Sequence, residues 1–122
     1  MRNTWTFVAL ILTILLVAPA AGSADADRVL WVENRTGRSI HGLHVSPVES
    51  DDWEEDILGE DILKPGDRVE VLLSGYDEDQ CLFDLLATNP DGTRWALPAI
   101  DLCQVFAVAI APRHQVRPPD PA

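Results

Sequence analysis

The chain has 122 residues, with 9 basic and 20 acidic side chains, a formal net charge of −11 and two cysteines. That length allows one domain with a modest hydrophobic core. So acidic a balance argues against nucleic acid or an anionic membrane as partner, since both would repel it.

The N-terminus reads as a leader. Arg2 gives a positive start, Trp5 to Val17 is an apolar run too short for a comfortable span, and Ala18-Pro19-Ala20-Ala21-Gly22-Ser23-Ala24 is mostly small. Residues 1–24 are therefore expected to be a secretory signal peptide. Ala18 and Ala20 fit the A-x-A rule, with Gly22 and Ala24 as a second choice. Loss of Arg2 with the leader takes the net charge from −11 to −12. No other apolar run is long enough to cross a bilayer, so the product is expected to be periplasmic or secreted, with no membrane span.

Residues 25–111 read as one β-sandwich domain. Arg28 to Asn34 is β-branched and aromatic and predicts the first strand. Ser39 to Val45 predicts a second, with His41, Leu43 and Val45 on one face, and the pair is expected to form a hairpin across Thr36-Gly37. Asn34-Arg35-Thr36 matches the N-glycosylation pattern, which is short and unspecific. From Glu49 to Gly59 the spacing predicts one or two helical turns: Asp51 and Glu54 fit a capping box, and Gly59 fits the position after the end. Trp53 and Ile57, four apart, would share its inner face.

Arg68 to Leu73 predicts a third strand after the Lys64-Pro65-Gly66-Asp67 turn. Cys81 to Cys103 predicts a hairpin closed by a disulfide. Asn89-Pro90-Asp91-Gly92 supplies the turn, and apolar residues lie on both sides of it. A four-residue loop would set Leu86 opposite Trp95 and Cys81 near Ile100. Gln104 to Ile110, apolar on both faces, predicts a central sixth strand. Residues 112–122 carry four prolines and predict a disordered tail.

The unusual feature is the acidic run. From Glu49 to Asp61 there are eight carboxylates in thirteen residues and no basic side chain. Acids in a first helical turn suit the helix dipole, but Asp56, Glu60 and Asp61 would oppose it. Asp51, Asp52, Glu55, Asp56, Glu60 and Asp61 are therefore the candidate patch for a cation such as Ca²⁺ or for a basic protein surface. A solvated acidic face explains the same residues without a ligand. An EF-hand does not fit, because Ile57 stands where that loop needs glycine.

Other chemistry is weaker. His41 and His44, three apart on a strand, would face opposite ways and could not share a metal. Ser46, Ser74 and His41 lie in no nucleophile frame, so no catalytic residue is assigned. Trp31, Trp53 and Trp95 are expected to fill the core.

Several short pieces carry a resemblance. Asn34 to Ile40, Ser46-Pro47, Trp53 to Gly59, Pro65-Gly66, Cys81 to Leu85 and Asp101 to Cys103 together resemble a group of small exported bacterial proteins of unassigned function. The resemblance implies fold and export and transfers no catalytic residue.

The expected protein is all-β: a small antiparallel β-sandwich of about six strands with one short helix, stapled by Cys81–Cys103. The expected role is an exported binding or interaction module. A small secreted enzyme, with or without a metal, and a structural envelope component are the alternatives.

Overall fold

Alternation along Arg28–Asn34 sends every second side chain inward, and the computed structural model, which describes residues 27–117, folds this stretch as strand β1 (Arg28–Asn34). The other strands are β2 (Gly42–Pro47), β3 (Arg68–Leu73), β4 (Leu82–Thr88), β5 (Arg94–Asp101) and β6 (Ala107–Ile110). They form two three-stranded sheets, ordered β3-β1-β6 and β2-β4-β5. All pairings are antiparallel except β1 with β6.

The sheets share one core. Leu30, Val32, Val71 and Ile110 come from the first sheet, and Leu43, Val45, Phe83, Leu85 and Trp95 from the second. Each such buried side chain is worth about 1.5–3 kcal/mol. The expected all-β sandwich of six strands is present, and β1 and β3 have the bounds read from sequence. The expected signal peptide lies outside the described residues.

Several expectations are corrected. β1 and β2 do not form a hairpin but belong to different sheets. Gly37 does make the turn, at φ +82°. The Asn34 side chain then redirects the chain: its Nδ2 donates to the carbonyls of Arg38 (2.7 Å) and Leu63 (2.9 Å), while its Oδ1 accepts from Thr36 N and Oγ1. Asn34 is 0% exposed and fully engaged, so it is not a glycan acceptor in the folded domain. β2 accordingly starts at Gly42 rather than Ser39.

The Cys81–Cys103 disulfide is present, with Cα atoms 5.1 Å apart. Its hairpin loop has five residues rather than four, because Thr93 O closes it by accepting from Asn89 N. Trp95 therefore pairs with Ala87, and Leu86 with Ala96. Between Phe83 and Leu85 a bulge shifts the register, so Ile100 faces Phe83 and Leu102 N reaches Cys81 O.

β6 is an edge strand, not a central one. Only Val108 and Ile110 turn toward the core, while Phe106 just before it is 72% exposed. The tail is ordered as far as it is described: Pro112–His114 forms a 3₁₀ turn, and Val116 N bonds Arg94 O on β5. Residues 118–122 lie outside the described residues.

Arg28 is the unexpected inward charge. Its Nη2 donates to the carbonyls of Asp77 (3.0 Å) and Glu78 (2.9 Å) and lies 3.8 Å from Cys103 Sγ. Its guanidinium also sits over the Phe83 ring, 5.9 Å from the centroid. The buried cation is thus met by carbonyls and a ring face.

Candidate functional site

The acidic run forms no helix. After Pro47 the chain turns back and lies along the open edge of β2. Glu54 N donates to Ser46 Oγ (2.8 Å), Ile57 N to Leu43 O (2.7 Å), and Ile40 and Leu63 exchange a pair of backbone bonds. Leu43 N and Leu58 N both donate to Asp56 Oδ1, at 2.9 and 3.0 Å. The His44 Nδ1–H donates to Glu54 O at 2.7 Å. Side chains thus replace a regular ladder, and an open strand edge outcompetes the local capping signal.

This correction moves Trp53 outward. It is 41% exposed, with its ring centroid 6.5 Å from that of His44. Ile57 and Leu58 hold the loop down instead, packed on or within the core. Trp31 is also only half-buried, with the Arg68 guanidinium 4.6 Å above it, so Trp95 is the tryptophan of the core.

The candidate acids separate into distinct places. Asp51, Asp52 and Trp53 line a small hollow with Ser46 and Asp84. Glu55 lines a cleft with Glu54, Tyr76 and Leu72. Asp61 lines a larger cleft of about 810 Å³ with Ile57, Ile62, Arg68 and Val69. Glu60 is exposed on the turn at Gly59-Glu60. Asp56 is structural, and its removal has a defined outcome. Asp56→Ala should destabilise the domain by about 1–3 kcal/mol, because two backbone donors lose their acceptor. Asp56→Asn, which keeps an oxygen there, should be milder. Denaturant titration of the two variants checks this, and equal losses would contradict it.

Electrostatics around the clefts is shaped by neighbours. The Arg35 side chain, bonded to Glu33 at 2.9 Å, holds the Glu33 carboxyl below its ordinary range. Burial, and then the bond it donates to Glu54 Oε1 (3.0 Å), push the Tyr76 hydroxyl up. Tyr76 therefore stays protonated and fixes the Glu54 side chain.

No three acids of the run converge. Among the described residues, the group of three metal-type ligands that does is Cys81, Asp101 and Cys103, whose sulfurs are already bonded to each other. His41 precedes β2, and His44 is committed to Glu54 O.

Asp84 was missed in the sequence. It accepts Ala99 N at 2.8 Å, where Ala99 sits at φ +54° in the β5 bulge. A non-glycine residue there is strained by roughly 1–2 kcal/mol, which the bond to a carboxylate offsets. A carboxylate between Phe83 and Leu85, inside an otherwise apolar strand, was the available signal. No helix among the described residues is long and apolar enough to cross a membrane. In comparisons with known proteins, the chain matches no family model, no curated protein and no solved structure.

Proposed function

We propose that the domain is an exported binding module that recognises a basic, partly apolar protein surface through the loop from Glu49 to Asp61. The observation that carries this is Trp53, left 41% exposed on a loop whose backbone is fixed at Ser46, His44 and Asp56. A tryptophan that contributes little to the core is available as an anchor, and exposed aromatic anchors dominate many interfaces. A loop held in shape beforehand loses little entropy on binding. Its acids, and a net charge of −11, attract a basic partner.

Export is supported by the leader-like residues 1–24, by the resemblance described above and by a disulfide, which persists in oxidising compartments. The cation reading has less support, since the acids point into separate clefts and Asp56 is spent on backbone donors. An acyl-transfer reading is weaker still: Ser46 is buried and accepts the Glu54 amide proton.

The test uses a lysine-rich peptide that alternates lysine with valine. Association with the wild-type domain should slow steeply as salt rises. Trp53→Ala should weaken binding about tenfold, or ~1.4 kcal/mol. Asp51→Asn with Asp52→Asn should slow association. Binding indifferent to all three changes defeats the proposal. Thermal stabilisation by Ca²⁺ beyond that of sodium chloride at equal ionic strength would favour the cation reading instead.

A further inference from the structure

The four sheet edges are not treated alike. The acidic loop covers β2, and Gln115 with Val116 lies against β5. β3 and β6 are the outer strands of the other sheet, and β3 is the longer, at six residues against four. Asn34 N bonds Asp67 O, and the register then runs from Glu33 opposite Arg68 to Arg28 opposite Leu73. Antiparallel alternation from that bond aims the main-chain groups of Val69, Val71 and Leu73 at β1. It aims those of Arg68, Glu70 and Leu72 at the open edge. Among the described residues, no chain segment pairs with them there.

That edge has a groove beside it. The two clefts flanking Ile57 lie between the acidic loop and β3, one reaching Arg68 and Val69, the other Leu72 and Leu73. Ile57, Leu58, Val69 and Leu73 supply apolar lining within clefts that are otherwise polar. Glu54, Glu55 and Asp61 stand along the loop side. Glu33 lines one end, but its carboxylate is already paired with Arg35. Among the residues that line the two clefts the basic one is Arg68, and it is turned over the Trp31 ring on the sheet's outer face.

We infer that β3 accepts an added strand: an extended segment of the partner, with lysine or arginine alternating with apolar residues. It hydrogen-bonds to the free main-chain groups of Arg68, Glu70 and Leu72 and lies in the groove against the acidic loop. The inference rests on the basic-partner reading and gives it a mode. Main-chain pairing supplies affinity, and alternating side chains supply selectivity. By strand alternation the apolar side chains face the groove, and the basic ones face the other way, where Glu70 stands exposed on the sheet's outer face. A second copy of the domain fits poorly, because antiparallel self-pairing centred on β3 sets Glu70 near its own copy and brings two acidic loops together.

Two peptides separate the possibilities: the alternating lysine–valine peptide, and the same peptide N-methylated at every second amide on the edge that would pair. Methylation keeps the charge and removes the donors. The expected result is at least tenfold weaker binding of the methylated form. Amide resonances of Arg68, Glu70 and Leu72 should shift and gain exchange protection with the unmodified peptide alone. Glu70→Pro, which removes an outward N–H that an edge strand can spare, should weaken the unmodified peptide similarly. If that variant fails to fold, the methylated peptide decides by itself. Equal binding of both peptides, with shifts confined to residues 49–61, overturns strand addition and leaves the basic-partner reading standing. Binding that needs the amides but ignores Trp53→Ala and the Asp51 and Asp52 changes keeps strand addition and removes Trp53, Asp51 and Asp52 from recognition. No binding of either peptide at low salt overturns both.

Discussion

Asn34→Ala should lower the stability of the domain by about 2–4 kcal/mol, a large loss for one polar side chain. The side chain is fully buried and makes four hydrogen bonds, two as donor and two as acceptor. The loss is less than four separate bonds would suggest. Leu63 O keeps the bond from Ile40 N, and Arg38 O can take the Thr36 Oγ1 proton that Asn34 Oδ1 no longer accepts. What goes is the tie between the end of β1, the turn at Gly37 and the Leu63 strand bridge. Asn34→Asp is the sharper test. It preserves the acceptor for Thr36 but sets a buried carboxylate oxygen against two carbonyls, so it should be worse than alanine. Urea titration of the three proteins measures both differences. An aspartate variant as stable as the wild type would show that the donor half of the network contributes nothing.

Cys81→Ala should remove about 3 kcal/mol, through the loop entropy returned to the unfolded chain by opening a closure of 22 residues. The folded side contributes too. Cys103 N is held by Asp101 Oδ1, and Arg28 lies beside its sulfur while gripping Asp77 O and Glu78 O. The staple, the 77–80 turn and the first residue of β1 are thus one contact group. Reductant should destabilise the wild type by a similar amount and leave the alanine variant unchanged. A wild-type melting curve indifferent to reductant would contradict this.

The sequence was most legible where one local signal had one structural use. The alternation of Arg28–Asn34 and Arg68–Leu73 admits only strands, and the cysteines flank a turn whose Gly92 takes φ +95° as expected. It was least legible where the outcome depended on a distant edge. The turn at Thr36-Gly37 is real, but turn chemistry says nothing about which strand the chain meets next. The Asp51–Glu54 spacing suits a helix, yet Ser46, Leu43 and Asp56 offered the same backbone a better set of bonds. The candidate site was legible in composition and not in arrangement. The acids were found, while Trp53 was placed inside and Asp84 and Tyr76 were overlooked. Large aromatics are buried on average, and only the shape of the loop exempts this one.

The parallel pairing of β1 with β6 has a consequence for timing. Trp31 and Val32 lie beside Ala107 and Val108, so the first strand to be synthesised waits for the last before its sheet is complete. Its other neighbour, β3, comes midway, and the opposing sheet needs Arg94–Asp101. Contacts this distant along the chain close slowly. The domain therefore cannot finish folding while its C-terminal strand is still inside the ribosome. If the chain is exported as proposed, that delay would favour a polypeptide still open enough to thread before Cys81 and Cys103 join.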